Sequence, residues 1–211
     1  MPPFPAWEDS IMHRKTVHDT SMGKSLLRWL SLIIFRFTGW KSAGKRPNLS
    51  KYVIIAAPHT SNWDFLYTLS LAFILEIKPF IMMKADWFRW PLGPLLRWFG
   101  AIPVDRSKST QVAARSIEAF HKHPRFVLLV PPAGTRSKVM YWKTGFYHIA
   151  MAANVPIVLG YLDYRRKVGG IGPIVQPTGN MERDMEIIKA FYADITAKYP
   201  EQALSYLASA E

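Results

Sequence analysis

Apolar and polar positions along the chain alternate between two rhythms. From Gly23 to Lys41, in GKSLLRWLSLIIFRFTGWK, residues Leu26, Leu27, Leu30, Ile33, Ile34 and Phe37 recur at helical spacing. Lys24, Arg28, Arg36 and Lys41 flank or interrupt them, with Trp29 and Trp40 nearby. The pattern predicts an apolar helix with cationic, aromatic edges. Two readings stay open: an interfacial membrane helix, or a helix packed on the core. SAGKRPN then reads as a loop. Tyr52–Ala57, YVIIAA, is a near-continuous apolar run, as expected of a strand buried on both faces. A helix is predicted over Asn62–Ile77, strands in KPFIMMK and GAIPVDR, and a helix in SKSTQVAARSIEAFHKH, stopped by Pro124. RFVLLV reads as a strand, TGFYHIAMAAN as a helix, and VPIVLGYLDY and the stretch near IVQ as strands. The last helix is MERDMEIIKAFYADITAKY, with Met181, Met185, Ile188, Phe191 and Ile195 on one face, acids in its first turn and Pro200 after it. Alternating strands and helices argue for a layered α/β domain.

Composition narrows the picture. The length, 211 residues, suits one domain with a sizeable core. The segment 1–23, with three early prolines, reads as a loose arm. Cysteine is absent, which excludes a disulfide framework, a thiolate zinc site and a catalytic thiol. Net charge is +12 and aromatic residues make up 14%, a balance that suits anionic membranes or nucleic acid, or simply solvated lysines. The basic residues are dispersed and no nucleic-acid motif is visible, so nucleic acid is not the expected partner. No apolar run approaches the ~20 residues of a spanning helix. The opening MPPFPAWEDS lacks the layout of a signal peptide. A cytoplasmic protein, or one on the cytoplasmic face of a membrane, is expected.

Three stretches can carry chemistry. PHTSNWDF follows the apolar run. If a helix begins near Asn62, His59 lies in the loop before it and Asp64 in its first turn, within hydrogen-bond reach. A carboxylate on one ring nitrogen raises the basicity of the other, which suits deprotonation of a substrate hydroxyl. The competing reading is a structural histidine with an aspartate balancing the helix dipole. Ser61 reads as a helix cap rather than a nucleophile. In FGAIPVDRSKS, Arg106 ends a short strand, where an α/β sheet presents ligand groups, and a guanidinium can fork onto phosphate. An Asp105–Arg106 surface charge cluster is the alternative. In VLLVPPAGTRSKVMYWKTGFYH, a strand runs into Ala133, Gly134, Thr135, Arg136 and Ser137. These offer a tight turn and donors for an anion, or form a plain turn. His121 and His123 are expected to serve a helix dipole, and His148 to pack in the core. His13 and His18 in the arm receive no role.

Taken in order, these stretches resemble the 1-acylglycerol-3-phosphate acyltransferase (PlsC-like) family of glycerolipid acyltransferases, in a compact bacterial branch. Its histidine–four residues–aspartate motif is matched by His59 and Asp64. A glycine leading into an apolar strand and an arginine is matched by Gly100 through Arg106. Pro-Glu-Gly-Thr-Arg-Ser resembles Pro132 through Ser137, and a proline in an apolar strand resembles Val155-Pro156-Ile157-Val158. The resemblance spans roughly residues 50–165. It implies a mixed sheet flanked by helices, with an N-terminal amphipathic helix and loop at 24–45 and an acyltransferase domain at 46–211. It further implies transfer of a fatty acyl group from acyl-CoA or acyl carrier protein to a lysolipid hydroxyl. His59 and Asp64 would be catalytic, and Arg106, Gly134, Thr135, Arg136 and Ser137 would bind substrate. No metal or resident cofactor is required, and the setting would be an anionic membrane surface. One position departs from the family: Ala133 stands where the motif carries glutamate. A methyl for a carboxylate removes a charge and its acceptor positions, which leaves three explanations open: a shifted acceptor, a weakened or inactive lipid-binding relative, or an engineered substitution.

Overall fold

The structure, a computed structural model, describes residues 15–136 and 138–203. Seven strands form one sheet in the order β1-β7-β6-β2-β5-β3-β4. In chain order they are β1 (Lys41–Ala43), β2 (Lys51–Ala57), β3 (Phe80–Lys84), β4 (Ala101–Val104), β5 (Phe126–Val130), β6 (Ile157–Asp163) and β7 (Val168–Val175). All neighbours run parallel except β6 and β7, which form an antiparallel pair. The mixed sheet is therefore parallel at its centre.

Six helices cover it among the described residues: α1 (Ser21–Thr38), α2 (Trp63–Ile74), α3 (Leu92–Trp98), α4 (Ser109–Lys122), α5 (Gly145–Ala152) and α6 (Met181–Ala193). Alternate residues of β2 sort them into two layers. Val53, Ile55 and Ala57 pack with Phe120, Phe146 and Ile188 from α4, α5 and α6. Tyr52 and Ile54 pack with Leu69 and Phe73 of α2, and with Leu27 of α1. Period-two alternation on a strand buried on both faces makes one sheet serve two cores.

The predicted elements are present with shifted ends; β1 and α3 were not foreseen, and β7, foreseen near IVQ, is longer than expected. β1 is three residues long, half-polar and at the sheet edge, and SAGKRPN had read as a loop. β7 begins at Val168, well before IVQ. Its Val168-Gly169-Gly170 start carries no apolar rhythm because the backbone of β1 lies too close: a Cβ on Gly170 would overlap the Ala43 carbonyl. α3 contains Gly93 and Pro94, which break periodicity, yet Pro94 lies in the first turn, where its missing N–H costs nothing.

Several side chains face other ways than expected. α1 buries Ser31 and Phe35, with Leu27 and Ile34 half-buried beside them, while Leu26, Trp29, Leu30 and Phe37 are exposed. The helix therefore packs on the core and keeps an apolar outer face. Trp40 is buried, stacked on Tyr67 with ring centroids 4.4 Å apart. On α6 the buried apolar residues are Met185, Ile188 and Tyr192, while Met181 is exposed. His148 is exposed, not packed in the core. His121 lies in the last turn of α4, and His123 follows it, stacked on Phe126.

Residues 17–23, read as part of the arm, form a 3-10 turn (Val17–Asp19) and the start of α1, while His13 lies outside the described residues. His18 stacks on Phe73 with ring centroids 4.5 Å apart, and its Nε2 is buried with no partner among the described residues. Burial, helped by the Lys78 charge, pushes its pKa down to about 4. The folded chain refuses a proton that the unfolded chain accepts below about pH 6.5. Stability is thus complete above that pH and falls as pH drops towards 4. Between pH 7 and pH 5 we expect a loss of about 1 kcal/mol from this group, allowing for its partial exposure. Urea midpoints at the two pH values, with His18→Phe as the insensitive reference, check this.

Candidate functional site

The central strands create a crevice. From β2 the chain passes to α2 on one face of the sheet. From its neighbour β5 it passes to α5 on the other. The loops after β2 and β5 diverge at their C-terminal ends, and such a switch point leaves room for a ligand.

The first loop is Pro58–Asn62. His59 Nδ1 lies 3.0 Å from Asp64 Oδ2, across the start of α2. The same oxygen accepts from the Thr60 amide at 2.8 Å and the Ser61 amide at 2.9 Å. A first-turn carboxylate thus satisfies two amides that would otherwise lack a partner. Ser61 Oγ accepts from the Trp63 amide at 3.2 Å, although the N-cap position itself is Asn62, whose side chain makes no capping bond. Oδ1 of Asp64 accepts from Tyr164 Oη at 2.6 Å. Asp64 is buried, while the His59 side chain is 27% exposed.

Burial alone would push the Asp64 carboxyl up. The hydrogen bonds from His59, Tyr164 and the Ser61 amide outweigh it and hold the carboxyl below its ordinary range. Asp64 is therefore an anion and can only accept. The proton of the neutral imidazole then belongs on Nδ1, and Nε2 carries the lone pair. That is the tautomer a general base needs.

The second loop, from Pro131, brings Gly134, Thr135 and Arg136 to the same crevice. One cavity of about 420 Å³ is lined by His59 and Asp64 and by these three residues. Gly134 has φ +65°, a left-handed conformation that favours glycine, and its amide donates to Pro131 O at 3.0 Å. The Arg136 guanidinium carbon lies 5.8 Å from the centre of the Trp87 ring, and the described residues place no carboxylate against it. An unneutralised cation in a crevice is an anion receptor in waiting.

Ala133 is half-buried and packs against the apolar core on the α4–α6 face. Arg106 opens the 3-10 turn Arg106–Lys108 after β4, and its side chain lies outside the described residues. β4 is three strands from β2, about 14 Å at the usual strand spacing of ~4.8 Å. The Asp105 carboxylate accepts from the Ser107 amide and hydroxyl at 3.0 and 2.7 Å. Ser137 lies outside the described residues.

The sequence reading missed Tyr164, Lys84 and Trp87. Lys84 and Trp87 line the cavity from the end of β3 and the turn after it. A positional signal was available for each: they follow strands that flank β2 or its neighbour, so their first loop residues reach the same crevice. Among the described residues no group of three or more His, Cys, Asp or Glu is placed to hold a metal.

With this geometry in view, residues 41–159 match the family described as Acyltransferase, more than half of the chain. The chain belongs to the acyltransferase family. Among curated proteins it is similar to the 1-acyl-sn-glycerol-3-phosphate acyltransferase of Streptococcus pneumoniae (strain ATCC BAA-255 / R6). The two are 30% identical over 153 residues, covering 69% of this chain and 56% of that one. This acyltransferase-family chain therefore spans a little over half of that relative's length. Among solved structures it is similar to the 1-acyl-sn-glycerophosphate (LPA) acyltransferase, PlsC, from Thermotoga maritima. The TM-score is 0.59 and the identity 17%, with 90% of this chain and 87% of that one covered. That likeness establishes a shared fold, and the expected sheet flanked by helices is the fold observed.

Proposed function

We propose that this chain transfers a fatty acyl group from an acyl thioester, on coenzyme A or acyl carrier protein, to the hydroxyl of a lysolipid such as 1-acylglycerol-3-phosphate. The observation that carries the reading is the one cavity that holds both a carboxylate-bound imidazole and the Arg136 guanidinium, against which the described residues place no carboxylate. His59 Nε2 takes the proton of the acceptor hydroxyl as its oxygen attacks the thioester carbonyl. The tetrahedral intermediate collapses, the carbon–sulfur bond breaks, and the imidazolium returns the proton to the departing thiolate. Asp64 keeps Nδ1 protonated and stabilises the imidazolium. Arg136 and Arg106 hold phosphate, and Gly134, Thr135 and Ser137 supply further donors. No metal or resident cofactor takes part.

A second reading rests on Ala133: a relative that binds lipid and turns over weakly. The two separate in an acyl-transfer assay read by mass spectrometry, with an acyl-CoA donor and a panel of lysolipids. We expect diacyl product from the native chain and a changed acceptor ranking in Ala133→Glu. Product from Ala133→Glu alone would establish the second reading, and silence from both would sink the first.

A lysolipid acceptor would be met at a bilayer surface. No helix among the described residues is long and apolar enough to cross a membrane. Among the large exposed apolar residues, one group lies on α1 and another around α3: Trp29 is 62% exposed, Phe37 86% and Trp90 87%. Trp87 and Trp98 are also exposed. Such rings suit the headgroup level, and the net charge of +12 suits anionic lipid. The reading is a monotopic protein on the cytoplasmic face of the cell membrane. Flotation with anionic vesicles should succeed at low salt and weaken at high salt. The Trp29→Ala/Trp90→Ala double variant should bind at least about ten-fold more weakly, each ring contributing on the order of 1.5 kcal/mol or more when buried. Equal flotation with neutral vesicles and at high salt would refute it.

A further inference from the structure

Asp64 has more partners than a dyad requires. Oδ2 serves His59 and two amides, and Oδ1 is held by Tyr164, 100 residues further along the chain and beyond the stretch matched to the family. Tyr164 is itself held from several sides. Asp163, buried at the end of β6, accepts from the Arg165 and Arg166 amides at 3.0 and 3.1 Å and from Arg166 Nη1 at 2.9 Å. This closes the turn between β6 and β7. The Tyr164 amide donates to Thr196 O at 2.9 Å, beyond the end of α6. Its ring meets Trp40 and Tyr67 edge-on, with centroids 4.9 and 6.1 Å away. β6 runs parallel to β2, with Tyr161 opposite Ala57, so the turn arrives beside the His59 loop.

We propose that Tyr164 is a positioning residue for His59. By holding Oδ1 it keeps Oδ2 on the imidazole, and by drawing charge from the carboxylate it moderates the basicity of the ring. The proposal rests on the dyad reading above. A hydroxyl with a purely structural part needs any one acceptor; this one takes an oxygen of the carboxylate that orients the proposed base. Burial and the Asp64 charge push the Tyr164 phenol well above its ordinary range, so it stays a donor wherever the enzyme works. The other ionisable groups facing the trio are Tyr67 of α2 and Tyr199 of the C-terminal turn. Lys198 lies over the Trp63 and Tyr199 rings, and Lys84 and Arg136 line the cavity.

The sign follows from charge. Without the Tyr164 hydrogen bond, negative charge on Asp64 concentrates towards the imidazole and favours the imidazolium. In Tyr164→Phe, the NMR titration of the His59 ring should move to higher pH by about half a unit or more. The acid limb of kcat/KM should move the same way, because transfer needs the neutral ring. The rate constant kcat should fall about ten-fold through lost alignment, with KM for the thioester nearly unchanged. A ring-fluorinated tyrosine at position 164 keeps the aromatic cage and strengthens the hydrogen bond. It should move the titration the opposite way, and it carries the test if Tyr164→Phe folds poorly. A His59 titration that moves with neither replacement overturns the proposal. A titration that moves as stated, beside a His59→Ala enzyme at full rate, would keep the coupling and overturn the catalytic reading instead.

Discussion

His59→Ala should lower acyl transfer by about 10²–10⁴-fold, the usual contribution of a positioned general base. The loss should fall on kcat, with KM for the thioester nearly unchanged, because the ring acts on a proton in flight rather than on the bound acyl chain. The fold should survive. The His59 side chain is part-exposed, and its removal takes one of four hydrogen bonds from Asp64, leaving both amides and Tyr164 in place. Circular dichroism and the urea midpoint should therefore match the native protein within about 1 kcal/mol. A large loss of rate beside an unchanged midpoint separates the base from a structural histidine with an aspartate at a helix N-terminus.

Asp64→Asn should affect rate and stability together. The amide has one oxygen where the carboxylate had two, and its NH₂ must face donors: the two amides and His59 on one side, or Tyr164 on the other. Leaving buried donors without partners costs about 1–3 kcal/mol each, so we expect a stability loss of about 2–4 kcal/mol. Activity should fall at least as far as in His59→Ala, since the imidazole loses both its tautomer and its counter-charge. The pH dependence gives an independent check. The folded-state pKa of Asp64 is depressed, so its contribution is present above the unfolded carboxyl range and lost as pH falls through the folded value. Urea midpoints of the native chain should therefore drop below about pH 4, and Asp64→Asn should lose that part of the acid sensitivity.

Much of this site was visible as sequence because it is local. Five residues separate His59 from Asp64, and a helix start between them forces the contact. The apolar run of β2 announces both the strand and the point where it stops. Gly134 to Arg136 follow another such run, and two strand ends of a parallel sheet meet in one crevice. What was hidden depends on the partner rather than the pattern. β1 is short and polar and is a strand because β7 lies beside it. The glycines of β7 look like a loop until the closeness of Ala43 explains them. Tyr164 follows a strand that flanks β2, but which strands flank β2 is known only from the sheet order, and nothing in YLDYRR itself names a carboxylate 100 positions earlier. α1 has apolar residues around most of its circumference, so spacing could not tell the face that meets α2 from the one left outside. Helical period locates a stripe only where the opposite side is polar.

The most direct test of the account follows one reaction at both ends. Purified chain is given an acyl-CoA and 1-acylglycerol-3-phosphate, and free thiol and diacyl product are measured together in the native protein and in His59→Ala. One thiol should be released for each diacyl lipid formed, and both should be lost with the histidine. Thiol release without lipid product, or equal product from the two proteins, would contradict it.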